Sequence, residues 1–169
     1  MSEFTQNNFD ATNLPLQESF RQIDMPQSEN MRVLVALWEN RPPDGLVVGR
    51  DIPSRAIARV LSHILLWEPV DDCADCILRL CGEGMRLRFG AGAVGKRFSE
   101  LIAPEVVPFF LDIGKRMLEE ERCAAFDIRL KRKVAIDGRN ELHFELVIFP
   151  VWSSDRKSRW FLNGISYFL

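Results

Sequence analysis

The sequence predicts an α+β domain in which a five-stranded antiparallel sheet is combined with a helical middle segment and with helices near the N-terminus. Two short apolar runs, at 65–69 and 77–82, precede a stretch with several glycines and one long helical period. Three alternating segments then close the sequence, which is the pattern of strands with one buried face. Two strands, helices and three further strands in this order are typical of an α+β fold.

Length, composition and charge restrict the class of protein. A chain of 169 residues with 47% hydrophobic residues corresponds to one globular domain. No apolar run reaches the ~18 residues that a membrane span needs, and the first residues show no signal-peptide pattern. The net charge of −2 argues against a dedicated nucleic-acid binder. We therefore expect a cytoplasmic protein without membrane or nucleic-acid partners.

The first part of the chain differs from the rest in composition. Residues 1–30 contain five acidic residues and one basic residue, with four Asn, four Gln and no sustained apolar period. Such a segment buries too little apolar surface to offset the entropy of ordering it. We therefore expect 1–28 to be a mobile acidic segment and 29–169 to form a single domain.

A first helix is predicted over 29–40, with Ser28 as its N-cap. Its apolar face consists of Met31, Leu34, Val35 and Trp38. We expect this face to form a homodimer interface; the alternative is that it covers the domain's own sheet. Pro42 and Pro43 end the helix because proline lacks a backbone donor.

Two further helices are predicted. The first runs from about Pro53 to His63, with Asp51 as its cap, and the hairpin that follows it turns across 70–76. The second is longer and runs from about 105 to 121. Gly114 lies in its interior, where glycine is unfavourable, and therefore predicts a close approach of another element.

The final strands are predicted over 123–136, 141–152 and 160–168, with a turn at 137–140. Along these strands Asp127, His143 and Glu145 have the parity opposite to the apolar residues. Because successive side chains of a strand point to opposite faces, this parity predicts a solvated polar face.

Six short stretches occur in a fixed order along this framework. They are LVALW at 34–38, RDIP at 50–53, ILLW at 64–67, LRLCGE at 78–83, FGAGAVGK at 89–96 and LVIFPV at 146–151. Together with the element order they resemble a PAS domain, in particular the bacterial stand-alone PAS proteins, over about residues 30–168. The chain departs from the family at Cys81, where Ala is more frequent, and in the Gly-Ala-Gly sequence at 90–92.

The resemblance implies a sensory or protein-interaction module with a pocket between the sheet and the helical middle. An apolar pocket with few polar groups suits a small organic ligand. The candidate ligand-binding residues are Arg79, Cys81, Phe89, Phe98, Phe109, Phe110, Ile113, Phe126, Phe144, Leu146, Trp160 and Asn163. We expect action in bacterial signalling through such a ligand, a homodimer and a signalling protein partner, without catalysis.

Two other functions stay open at this point. A small enzyme on a curved sheet would need a cluster of titratable residues in a pocket, and the sequence contains no catalytic motif. A phosphate or nucleic-acid binder would use the basic stretch at 129–133, because clustered positive charge attracts phosphates.

Cysteines and histidines give little support to a metal or a cofactor. Cys73 and Cys76 form a Cys-x-x-Cys pair, but no second pair completes a zinc site. Neighbouring acids such as Asp72 and Asp75 would raise the pKa of these thiols. We expect structural cysteines, with a redox pair or a metal ligand as the alternatives. The long helix also lacks the His that haem-binding PAS domains have there, and no Asn-Cys-Arg-Phe-type stretch of flavin photosensors precedes it.

We predict that the purified protein contains neither haem nor flavin, since the long helix has no His and the photoreactive Cys motif of flavin photosensors is absent. An absorption spectrum of freshly purified protein is expected to show the aromatic band in the ultraviolet and no band in the visible range. A visible band of stoichiometric intensity would contradict this prediction.

Overall fold

A computed structural model of the chain describes residues 19–136 and 139–168, with 131–136 and 139–140 described by their backbone alone. Within these residues the strands form one antiparallel sheet of six strands, in the order β1-β4-β5-β6-β2-β3. The strands are β1 (Ser19–Ile23), β2 (Ile64–Val70), β3 (Asp75–Cys81), β4 (Ala124–Ile136), β5 (Arg139–Trp152) and β6 (Arg159–Phe168). The α+β class is confirmed, and the sheet has one strand more than the predicted five.

Five helices complete the described part of the chain. They are α1 (Glu29–Glu39), a 3₁₀ helix (Arg55–His63), α2 (Glu83–Phe89), α3 (Phe98–Leu101) and α4 (Val107–Glu120). α1 begins as predicted, since the Ser28 hydroxyl accepts a hydrogen bond from the Met31 N–H at 3.4 Å. In this part of the chain, no helix is both long and apolar enough to cross a membrane.

The second predicted helix differs from its prediction in form. It is a 3₁₀ helix that follows Ser54, and Ile57 interrupts it with a non-helical backbone. Asp51 does not cap it, because its carboxylate accepts a hydrogen bond from the Val47 N–H at 2.8 Å and pairs with Arg50. The carboxylate therefore stabilises the loop before the helix.

The sheet is covered on both faces, and the hydrophobic core is divided in two. α2, α3 and α4 cover one face, whereas α1 and the 3₁₀ helix cover the other. Along β5, Phe144, Leu146 and Ile148 face the first cluster, and Val147, Phe149 and Val151 face the second. A strand buried on both faces is apolar at nearly every position, as β5 is here.

α1 packs its apolar face on the chain's own sheet. Met31 and Leu34 are fully buried, and the Trp38 ring lies 5.5 Å from the ring of Phe149 on β5. The four residues predicted to form a dimer interface, Met31, Leu34, Val35 and Trp38, are therefore buried within one molecule and do not present a free surface. The alternative interpretation, in which the helix covers its own sheet, describes the structure.

Strand β1 lies in the segment that was expected to be mobile. The first 18 residues of that segment lie outside the described part, whereas β1 pairs with β4, with Phe20 opposite Ile128. The Phe20 ring also contacts the edge of the Phe110 ring of α4 at 5.4 Å. Backbone pairing and this apolar contact together hold β1 on the sheet.

Two carboxylates of the predicted solvated face are buried. Asp127 is 9% exposed and lies beside His143 and Arg21, and Glu145 is 1% exposed beneath the segment before α1. The two carboxylate oxygens of Glu145 accept hydrogen bonds from the backbone N–H groups of Gln27 and Ser28 at 2.8 and 3.0 Å. Such bonds offset the cost of removing a carboxylate from water. The prediction of a solvated face is wrong for these two positions.

The two edges of the sheet differ. Along the outer edge of β3, the Leu78 N–H donates to the Lys96 carbonyl at 3.0 Å, and the Gly95 N–H donates to the Leu78 carbonyl at 2.8 Å. A bridge between Ile77 and Arg97 continues this contact. At the opposite edge, β1 pairs with β4 alone within the described residues. The segment at 95–97 therefore covers part of one edge, whereas no described residue pairs with the outer side of β1.

Two glycines mark close approaches between elements. A Cβ built at Gly114 of α4 would lie 3.0 Å from Cζ of Phe161 on β6, which confirms the approach predicted there. A Cβ at Gly82, between β3 and α2, would lie 2.6 Å from the carbonyl oxygen of Ser62 and closer still to that of Leu61. Only glycine fits at Gly82, because backbone atoms there have no rotamer to change.

We predict that Gly82→Ala lowers the free energy of unfolding by about 2 kcal/mol or more, since the added methyl group must displace the backbone of the 3₁₀ helix. Urea unfolding followed by circular dichroism measures the loss. Gly92→Ala is the matched control, because a Cβ at Gly92 would meet no atom within 4 Å. Equal stability of the two variants would contradict the close approach.

Candidate functional site

A cavity of about 490 Å³ lies between the sheet and the helices α2, α3 and α4. This volume is within the ~300–1,000 Å³ typical of small-molecule sites. Leu87 of α2, which is 91% exposed, lies at its rim. The lining residues are mostly apolar: Leu65, Trp67, Leu87, Arg88, Phe89, Phe98, Leu101, Ile102, Ala103, Val106, Phe110, Leu130, Leu142, Phe144, Leu146, Asn163, Ile165 and Tyr167.

Half of the candidate ligand-binding residues line this cavity. They are Phe89, Phe98, Phe110, Phe144, Leu146 and Asn163. The helices contribute the first three and the sheet contributes the others, so the cavity lies where the resemblance implies a pocket. Ile113 lines a second space of about 10 Å³ that shares several walls with the first, including Trp67 and Asn163.

The other candidates lie elsewhere. Arg79 is exposed on β3 and pairs with Glu68, and the Sγ of Cys81 contacts the carbonyl oxygen of its neighbour Gly82 at 3.6 Å. Neither side chain lines the cavity, because β3 is an edge strand away from its centre.

Three aromatic candidates are also outside the lining. Phe109 stacks on Phe20 of β1 at 5.9 Å, and Phe126 is fully buried in the core beside the cavity. Trp160 packs with the cluster beneath α1. It has the opposite parity to Asn163 and Ile165, which lie on the cavity side of the same strand.

Several lining residues were not among the candidates. Leu130, Leu142 and Ile165 have the parity of the cavity face, so strand alternation contains the signal for them. Tyr167 also has this parity, since it continues the alternation of Asn163 and Ile165 on β6, whereas Arg88 has no such signal because it lies on a short helix. The Arg88 guanidinium carbon lies 3.4 Å from the centre of the Tyr167 ring, which is a cation–π contact.

The wall of the cavity includes two buried polar atoms that lack a partner among the described residues. They are Nε1 of Trp67 and Oδ1 of Asn163. An unsatisfied buried donor or acceptor costs roughly 1–3 kcal/mol, so such atoms are infrequent in protein cores. Each atom has less than 1 Å² of accessible surface, so the two lie behind the cavity surface although their residues line it.

A continuous series of aromatic contacts connects the cavity wall to the sheet edge. The Trp67 ring meets the Phe98 ring edge-on at 5.1 Å, and Phe98 meets Phe110 at 5.8 Å. Phe110 in turn contacts Phe20 of β1 at 5.4 Å. A change in the position of Phe98 or Phe110 would therefore alter the packing under β1.

The cavity offers few groups for chemistry. No carboxylate, imidazole or thiol belongs to its described lining, and the described residues include no cluster of metal ligands. His143 lies away from it, beside the Asp127 carboxylate at 3.1 Å. The titratable groups of the described lining are therefore Arg88 and Tyr167.

The basic stretch at 129–133 is described only in part. Arg129 pairs with Glu141 at 2.9 Å, and the side chains of 131–133 lie outside the described residues. The positive charge of Arg129 is thus already compensated by a neighbouring strand.

Burial raises the pKa of every cysteine thiol in the described chain. Cys73 lies in the turn between β2 and β3, where burial raises its pKa and Asp72 adds to the effect. Burial raises the pKa of Cys76 strongly and that of Cys123 to about 12. Because the thiolate is the reactive form, these cysteines are not activated nucleophiles. The expectation of structural cysteines agrees with this environment.

Comparisons with known proteins were made at the level of sequence and of structure. No protein-family model and no curated protein matches the chain. Among solved structures, it is similar to a light-oxygen-voltage domain studied with a flavin analogue, at 14% identity and a TM-score of 0.47, over 70% of this chain and 88% of that chain. It is also similar to the light state of the blue-light photoreceptor aureochrome 1, at 12% identity and a TM-score of 0.44, over 69% and 89%. The strand order and the position of α2, α3 and α4 on one face of the sheet agree with the PAS-like fold that the resemblance implies.

We predict that Cys76 and Cys123 react with iodoacetamide at pH 8 at least about tenfold more slowly in the native protein than after unfolding, because burial keeps them as thiols. Peptide mass mapping after timed labelling measures the rate at each position. The more exposed Cys73 is the internal control and should react first. Rapid native labelling of Cys76 would contradict this environment.

Proposed function

We propose that this domain is a sensory or regulatory module that binds a small, mainly apolar molecule in the cavity beneath α2, α3 and α4. The cavity itself is the observation that supports the proposal. It has the volume of a small-molecule site and a mostly apolar lining with a few polar side chains, among them Arg88, Asn163 and Tyr167. A ligand there would contact both the sheet and the helices.

Signal output, in this proposal, follows the aromatic contacts from the cavity to β1. A ligand that moves Phe98 or Phe110 changes the surface on which Phe20 packs. In this proposal the domain acts through this change of surface in bacterial signalling, and the described lining contains no carboxylate, imidazole or thiol. Its partner, a second copy or a signalling protein, would bind outside the apolar face of α1, because that face is buried.

The proposal is tested by blocking the rim of the cavity. Ala103 lines the cavity and is exposed, so Ala103→Trp places an indole in the opening. Saturable binding of the neutral fluorescent probe N-phenyl-1-naphthylamine is expected for the natural protein, and this variant should weaken it by about tenfold or more. Native mass spectrometry of freshly purified protein is the parallel measurement and should report a bound small molecule.

Ala91→Trp is the matched control. Ala91 is also an exposed alanine of the helical middle, but it does not line the cavity, so probe binding should stay unchanged. If Ala103→Trp and Ala91→Trp bind the probe equally well, the probe binds outside the cavity. The proposal fails if the natural protein neither binds the probe nor carries a small molecule.

A further inference from the structure

Arg88 differs from the other arginine on α2. Arg86 is paired with Glu83 at 3.1 Å, whereas no carboxylate of the described residues lies within ion-pair distance of Arg88. Arg88 lines the cavity, and Arg86 does not. An exposed cation without an ion-pair partner among the described residues therefore stands at the wall of an apolar cavity.

The contact with Tyr167 fixes how this cation is presented. The guanidinium lies 3.4 Å over the ring, so one of its faces is occupied and its N–H edges remain for a ligand. Five N–H donors in a planar fork match the two oxygens of a carboxylate. Stacking also restricts the side chain before binding, which reduces the entropy lost when the ligand arrives.

Charge balance narrows the class of ligand. Arg88 is the one cation of the described lining, and its guanidinium matches one carboxylate group. Because Arg88 is exposed, that group would lie beside solvent while the rest of the ligand occupies the apolar space. The other lining residues are almost all apolar and suit a hydrocarbon or aromatic body.

We propose that the ligand of this cavity is a monocarboxylate with an apolar body, whose carboxylate accepts two hydrogen bonds from Arg88. This inference rests on the proposed function, because it names the ligand class of the same cavity. It assigns Arg88 as the residue that distinguishes an acid from a neutral molecule of the same shape.

The test compares decanoate with 1-decanol, two probes with the same chain length and different head groups. Isothermal titration calorimetry on the full chain is expected to show decanoate binding that Arg88→Gln weakens by about tenfold or more, as the loss of a charge-assisted pair implies. Binding of 1-decanol should change less than about twofold, since an alcohol makes no ion pair. Arg88→Lys keeps the positive charge but lacks the planar fork of N–H donors. Its affinity for decanoate should therefore lie between those of the natural protein and of Arg88→Gln.

Arg86→Gln is the matched control and should leave both affinities unchanged, because Arg86 lies outside the lining. The inference is overturned if Arg88→Gln weakens both probes equally or neither of them. Binding of 1-decanol without binding of decanoate would also overturn it, while the proposed function would stand. If neither probe nor the neutral dye binds, and the purified protein carries no small molecule, both proposals fail.

Discussion

The sheet is buried on both faces, so its central strands must be apolar on both sides. Strand β5 meets this requirement with side chains of both parities, and the two core clusters are built on it. Glu145, the one charged residue between 144 and 151, is held beneath the start of α1 by two backbone N–H groups. This contact fixes the chain where it enters α1, and α1 covers that face. On the other face the covering helices α2 and α3 are short, and the cavity lies beneath them.

Local patterns predict most of the fold because most elements have a clear period or cap. Ser28 and the apolar stripe of α1 predict that helix, and Gly114 predicts the contact of α4 with β6. Strand β1 has no such pattern, because its pairing with β4 joins residues more than 100 positions apart in the chain. The burial of Glu145 is equally non-local, since the covering segment makes a polar position an interior one.

The alternation of side chains along the strands predicts only some of the residues that line the cavity. Alternation selects the face of each strand, and it identifies Phe144, Leu146 and Asn163 correctly. It does not say how far along the strand the cavity reaches, so Phe126 is in the packed core while Leu130 lines the space. The role of Arg88 could not be predicted from the sequence, because it depends on the contact of its guanidinium with the Tyr167 ring.

The unequal edges of the sheet limit how copies of this chain could associate through their backbones. The outer side of β3 already exchanges hydrogen bonds with the segment at 95–97, while β1 has one strand neighbour within the described residues. Sheets with two accessible edges can add molecules without limit, which is the route to fibres. Here the segment at 95–97 already occupies backbone groups of Leu78, so this part of the β3 edge cannot pair with a strand of another copy.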